Sequence, residues 1–484
     1  MTALVLLAIG VPLLGAALIV ATAERPNLRE GVTLVTAGAL FGIVAALLPR
    51  VMSGARPGVV LGDILPGLGL AFEVEPLGML FGLVASFLWL MTSIYSIGYM
   101  RANKETNQTR FYACFALALA STMGVAFAGN MFTLFVFYEA LTISTYPLVT
   151  HSGSEEARRS GRIYLGLLLF TSIGFLLFAI LWTWVLTGTL DFREGGILAN
   201  EAPDAVLSIL LVLYIFGIGK AAIMPFHRWL PAAMVAPTPV SALLHAVAVV
   251  KAGVFTVVKV VVYIFGIDTL DAMTGGDWLI YVAGITIIVA SLIALTQDNL
   301  KLRLAYSTVS QLSYVVLGAG LANAWGVLGG SLHIATHAFG KITLFFCAGA
   351  IYTASKKKNI SEMVGIGRAM PYTMTAFLIG SLSLIGLPPL AGIWSKWYLG
   401  LGTLASETYL LLAVLLVSSV LNAIYFLPIV VRAFAAPPGA EGASKLKEAP
   451  IPCLIALGIT ATGCVVLFFY LDPFYRLLQP IVAR

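Results

Sequence analysis

Charge is what this 484-residue chain lacks most. Only 10% of its residues are Asp, Glu, Lys or Arg, against about 25% in soluble globular domains. With 60% hydrophobic residues and a mean hydropathy of +0.98, this excludes a soluble domain held on a single anchor. Cysteine is also scarce. Cys114, Cys347, Cys453 and Cys464 lie far apart within apolar runs, without the spacing of a metal site or a disulfide framework. They read as small apolar filler. A Gly-rich phosphate loop after a strand, a haem-attachment motif and an iron–sulfur cysteine set are all missing. No cofactor is therefore expected on this chain.

In their place stand apolar runs near the length that crosses ~30 Å of hydrocarbon. The expected fold is an all-α polytopic membrane protein of fourteen spans: 2–22, 30–49, 76–98, 110–128, 130–149, 161–186, 204–224, 238–265, 278–296, 302–320, 325–353, 370–392, 405–433 and 450–470. Only Gly129 and Asn130 separate the fourth from the fifth. The first span has no basic flank and no small-residue cleavage site, so it reads as a retained helix and not a signal peptide.

Basic residues follow this count. With the N-terminus outside, 18 of the 28 fall in odd-numbered loops, including Arg25, Arg101, Arg158, Arg228, Lys301, Lys356 and Lys445. Five fall on the other side: Arg50, Arg56, Arg193, Arg476 and Arg484. That asymmetry obeys the positive-inside rule and places both termini on the non-cytoplasmic face of a bacterial inner membrane. The net charge of +6 is thus a matter of topology and carries no signal of nucleic acid.

The remaining five basic residues are lysines inside spans: Lys220, Lys251, Lys259, Lys341 and Lys396. A charge at mid-bilayer costs at least about 2.5–3.5 kcal/mol, so such residues mark ion paths. Of 22 acidic residues, Glu139 alone is equally deep, near the centre of span five. Burial disfavours the charged form of a carboxylate or an amine, and a partner of opposite sign favours it. A lysine is the partner expected for Glu139; a carboxyl held neutral for structural reasons is the alternative.

Lys220 lies late in span seven, between Gly217, Gly219 and Pro225. Pro225 removes a donor and crowds the preceding turn, so the helix should break just after the lysine. Snorkelling to the cytoplasmic edge is the alternative role. Span eight carries His245, Lys251 and Lys259. Lys251 is central; Lys259 is near the outer end, where snorkelling explains it equally well. His245 is either a satisfied core histidine or a relay. In span eleven His333, His337 and Lys341 recur at i, i+4 and i+8 on one helical face. Two histidines at that spacing suit a metal, but no third ligand flanks them, so a wet polar stripe fits better. Lys396 follows Pro388 and Pro389 in span twelve. Two spans broken by proline beside a lysine suggest inverted repeats around a midplane path: spans 4–8 and 9–13, or residues 110–265 and 278–433, flanked by 1–109 and 450–484.

These stretches resemble a known family. FYEALTISTYPL, GKAAIMPFHRWLPAAMVAPTPVSALLHAVAVVKAGVF, DNLKLRLAYSTVSQLSYV, HIATHAFGKITLFF and GLPPLAGIWSKW are similar to the antiporter-like subunits of Mrp-type multisubunit sodium/proton antiporters and respiratory complex I. The resemblance runs from about residue 70 to about residue 430. It implies fourteen core helices, two inverted five-helix repeats, broken seventh and twelfth helices and a central hydrophilic axis. By motif, Glu139 resembles the glutamate that tunes the seventh-helix lysine, here Lys220. Lys251 resembles the connecting lysine and Lys396 the terminal one, with His245, His333, His337 and Lys341 as relays. Lys259 has no motif match.

Lysine at 396 argues against the complex I type with glutamate there, and no long lateral helix follows span fourteen. Length and pattern look most Mrp-D-like; a complex I or hydrogenase-type subunit is the alternative. Either implies partner membrane subunits, protons and, for an antiporter, sodium.

Overall fold

A computed structural model describes residues 2–65, 68–435 and 446–483, with the backbone alone at 63–65 and 245. Lys445, Arg484 and the side chain of His245 thus lie outside the described residues. Among these residues ten helices are long and apolar enough to cross a membrane: Thr2–Ala21, Pro26–Met52, Pro76–Ala102, Gln108–Ala126, Met131–Val149, Glu155–Thr187, Trp278–Thr296, Ala324–Ser355, Tyr409–Phe434 and Ile451–Phe469. Their starts follow local chemistry. Glu75 and Asn130 accept backbone N–H bonds at the first turns of Pro76–Ala102 and Met131–Val149, satisfying donors a helix start leaves orphaned. Ser154 caps the helix that opens on Glu155 and Glu156, which starts it earlier than hydrophobicity alone does.

The other four expected spans are helical but interrupted or more polar. Residues 204–224 comprise Asp204–Gly217 and a 3-10 turn, Gly219–Ala221. Residues 238–265 alternate α and π segments, with π stretches at Leu243–Val247 and Val260–Phe265 around Val249–Lys259. Leu300–Gly320 is unbroken but carries buried Ser307, Gln311 and Ser313. The twelfth segment is two helices, Pro371–Ile385 and Gly392–Ala405. It therefore extends to Ala405, past the expected end at 392, and Lys396 sits in its second piece.

The fold is predominantly helical, but not all-α. Strands Gly58–Leu65 and Leu68–Glu73 pair antiparallel, with Gly58 opposite Glu73 and Val59 opposite Phe72. The cues in the sequence were the β-branched Val59–Val60 pair and the Pro66-Gly67 dipeptide, in a segment that the span assignment leaves without an element.

Ala324–Ser355 is the core helix; its most apolar window is wholly buried. It packs against Leu300–Gly320, Gly392–Ala405, Pro371–Ile385, Ile451–Phe469 and Pro76–Ala102. Loop contacts fall into two sets. In one, Arg29 donates to Gln108 and Thr109, Asn103 to Thr353, Lys301 to the Ala236 carbonyl and Ser361 to Asp298. In the other, Phe72 bridges Ala128, Asn130 bridges Asp191, Thr274 donates to Asp204 and Asn323 to Ser406.

Candidate functional site

The seventh segment breaks earlier than Pro225 alone requires. The α-helix ends at Gly217, where two glycines in three residues lower helix propensity. Lys220 therefore lies in the 3-10 turn, fully buried. Trp229 Nε1 donates to the Gly219 carbonyl at 2.9 Å, which also accepts from Ala222 N at 3.0 Å, and Ala222 adopts φ +55°, a region that costs an L-residue about 1–2 kcal/mol. Gly253 allows this turn to lie against Val249–Lys259. A Cβ there would come 2.3 Å from Ala221 N and from the Lys220 carbonyl carbon.

Lys220 Nζ donates to the Tyr138 carbonyl at 2.8 Å and the Thr142 hydroxyl at 2.6 Å, and lies 3.2 Å from the Tyr138 ring centroid. Glu139 is next in the chain and acts on Lys220 electrostatically, yet the expected ion pair is not formed. Both Glu139 oxygens are buried without a hydrogen-bond partner. Val136 and Ile143, on the same helical face, are 37% and 64% exposed. Glu139 thus stands near the lateral surface of the chain.

Lys251 is fully buried, and its Nζ lies 2.7 Å from His337 Nδ1. A protonated lysine only donates, so His337 accepts on Nδ1 in that state. The His337 and His333 rings are 5.5 Å apart. His333 Nδ1 meets Ser395 Oγ at 2.8 Å, one residue before Lys396. Lys396 Nζ donates to the Ile385 carbonyl and to Ser419 Oγ, both at 2.9 Å. The first of these contacts is at the C-terminal, negative end of the half-helix Pro371–Ile385. Gly386, at φ +90°, leaves room for the lysine; a Cβ there would meet Lys396 Cδ at 2.8 Å. The structure therefore brings Lys251, His337 and His333 into one file, and the Tyr314 ring, 5.3 Å from the His333 ring and 5.2 Å from Lys396 Nζ, sets Lys396 at its end.

Lys341 turns away from that file. Its Nζ donates to Ser307 Oγ at 2.9 Å, with the Leu304 carbonyl at 3.4 Å.

Sequence reasoning missed the partner of Lys259. The lysine does not snorkel. It pairs with Glu75 at 3.2 Å, the two side chains 1% and 3% exposed. Glu75 also accepts from Leu77 N and Gly78 N at 2.7 Å and from the Tyr263 hydroxyl at 3.0 Å. Its place at a span edge hid it. The available signal was the Glu75-Pro76 helix start, since proline favours the first helical position.

The transmembrane segment described for the NADH:quinone oxidoreductase/Mrp antiporter family matches residues 128–422, over half of the chain. The chain belongs to this antiporter-like family. A second family description, the N-terminus of complex I chain 5, matches residues 67–112. NADH-quinone oxidoreductase subunit N of Desulforudis audaxviator is 34% identical over 423 residues, covering 83% of this chain and 82% of the relative. The chloroplastic NAD(P)H-quinone oxidoreductase subunit 5 of Adiantum capillus-veneris is 35% identical over 375 residues. The match covers 70% of this chain but about half, 49%, of that relative.

Among solved structures of such assemblies, a chain of the membrane-bound sulfane sulfur reductase, an archaeal respiratory membrane complex, superimposes with a TM-score of 0.87 at 25% identity, covering 99% and 96% of the two chains. A chain of the Mrp complex from Dietzia sp. DQ12-45-1b gives 0.88 at 22% identity, covering 100% and 97%. The antiporter-like fold thus spans the whole chain, as a multi-pass membrane subunit of the kind found in larger complexes.

Proposed function

We propose that the chain is a proton-translocating, Mrp-D-like subunit of a multisubunit monovalent cation/proton antiporter. The observation that carries this reading is the buried file from Lys251 through His337 to His333, with the half-buried Lys396 across the Tyr314 ring from it, and with Lys220 and Glu139 at its head. In the arrangement seen, Lys220 is held by Tyr138 and Thr142 and Glu139 is open. Closure of the Glu139–Lys220 pair holds a proton on the lysine; opening releases it toward Lys251. No chemistry beyond proton movement is needed, so the chain acts as a transport subunit and not an enzyme. His245 joins this route as a relay.

Fourteen alternating crossings are supported by the loops; two inverted five-helix repeats and both termini on the non-cytoplasmic side belong to the same proposal. Contacts among odd-numbered loops and those among even-numbered loops form separate sets, as alternating crossings require. Leu387, Pro388 and Pro389 of the twelfth break are exposed on this chain. Irregular backbone at membrane depth is tolerated only when protein or a wet cavity covers it. A neighbouring membrane subunit is the cover we propose for that face.

A second reading keeps the same axis but places the chain in an NADH:quinone oxidoreductase or a hydrogenase-type complex. The 34% identity to a subunit N over most of both chains favours it. Sodium belongs only to the first reading. The test is proton transport by the assembled complex in vesicles. Lys220→Ala should abolish it while the complex still assembles, and full activity in that variant would refute the scheme. Normal transport by Glu139→Ala/Lys396→Ala would instead mark a structural subunit with a silent channel.

A further inference from the structure

Lys341, like Lys259, stands outside the file from Lys251 to Lys396. It is fully buried, as are its neighbours Ser307, Asn422 and Tyr425. Lys341 Nζ reaches Ser307 Oγ at 2.9 Å, and the Ser307 and Tyr425 hydroxyls are 3.0 Å apart. Tyr425 also contacts Asn422 Oδ1.

Lys341 Nζ donates to Ser307 Oγ, and the Tyr425 hydroxyl donates toward both Ser307 Oγ and Asn422 Oδ1. A hydroxyl can donate and accept, so polar contacts run from Lys341 through Ser307 to Tyr425 on helix Tyr409–Phe434.

That helix carries the network onward. Ser418, Ser419, Asn422 and Tyr425 recur at spacings that put them on one face. Ser419 Oγ accepts from Lys396 Nζ at 2.9 Å. The Tyr314 hydroxyl faces Ser418, Ser419 and Asn422 without a hydrogen bond to any of them, and Lys396 Nζ is 5.2 Å from the Tyr314 ring centroid. The first contact in the network, to Ser307 and the Leu304 carbonyl, sits in the opening turns of Leu300–Gly320. That is the end next to Lys301 and Arg303, on the basic side.

We propose that Ser307, Tyr425 and the Ser419–Asn422 face form a second proton route, from Lys341 to Lys396, parallel to the histidine route. Lys396 is then a junction fed from two directions. This rests on the proton-transport reading above.

The test is the initial proton-transport rate of the whole assembled complex in vesicles with an internal pH dye. Tyr425→Phe keeps the ring against Phe426 and removes only the hydroxyl. It and Ser307→Ala should each slow transport by about twofold, with undiminished assembly, because the histidine route still conducts. Combined, they should lose no more than either alone, because they interrupt one route. Tyr425→Phe with His333→Ala should lose more than the product of the two single effects, because both parallel routes are then closed. Wild-type rates in both Tyr425→Phe and Ser307→Ala would overturn the second route. So would a Tyr425→Phe/His333→Ala pair no slower than its worse member. Should Tyr425→Phe fail to assemble, Ser307→Ala decides the matter in the same way. Lys220→Ala, measured alongside, separates the failures: its full activity would refute the transport reading itself, whereas its loss beside unaffected Tyr425 and Ser307 variants refutes only the second route.

Discussion

Two buried carboxylates in the first half of the chain have a lysine within electrostatic reach, and they stand in opposite states. Glu75 is closed on Lys259 at 3.2 Å and holds two backbone N–H groups and the Tyr263 hydroxyl besides. Glu139 has neither oxygen hydrogen-bonded, while Lys220 rests on Tyr138 and Thr142. A carboxylate fixed by four partners has little freedom to let go. One that has surrendered its lysine to neutral oxygens can take it back at small cost. The first pair is built as a clamp between the helix start at Glu75 and Val249–Lys259; the second is the one we propose as a switch. On that proposal, a formed ion pair is no guide to which lysine moves the proton.

The contrast can be broken at several points. The largest effect on transport is expected at the switch, where Lys220→Ala should abolish proton movement, read as vesicle acidification. The clamp should respond in stability. Glu75→Gln leaves Lys259 buried without its counter-charge, a loss of about 3–5 kcal/mol visible as a lowered thermal transition of the purified complex. Glu75→Leu/Lys259→Met should recover most of this, apart from about 1 kcal/mol for the missing helix cap. Lys259→Arg should retain transport, since the clamp needs a charge and not a removable proton; loss of transport there would make the clamp a carrier.

Smaller effects should follow from the packing that sets the switch. Gly253→Ala drives a methyl into the Lys220 turn. About 1–3 kcal/mol of overpacking should slow transport without dissociating the complex. Ala222→Gly should do the reverse on stability, relieving about 1–2 kcal/mol at the φ +55° position, and should raise the thermal transition slightly.

How much of this was legible in the sequence differs between the pairs. Glu139 and the lysines stand out because a charge within an apolar run is costly, and the i, i+4 spacing of His333 and His337 declares a shared face. The breaks at Pro225 and Pro388 were readable from proline chemistry, though the glycines that end the seventh helix at Gly217 moved the break ahead of Lys220. Glu75 was hidden because it sits at a span edge, where an acidic residue looks solvated. Its burial against Lys259 and the Tyr263 hydroxyl comes from tertiary packing. The turn of Lys341 toward Ser307 and Tyr425 was hidden too. It depends on which neighbouring helix lies opposite, and helical periodicity within one span carries no such information. That the expected Glu139–Lys220 pair is open likewise follows from the placement of Tyr138 and Thr142 around the 3-10 turn, not from residue types.

The most direct test of the switch is an infrared difference spectrum of the assembled complex between its resting and energised states, with Glu139→Gln used to assign the carboxyl band. The account predicts a Glu139 carboxylate signal that changes on energisation and vanishes in Lys220→Ala, with no change assignable to Glu75. A silent Glu139, or a Glu139 signal that persists unaltered in Lys220→Ala, would contradict it.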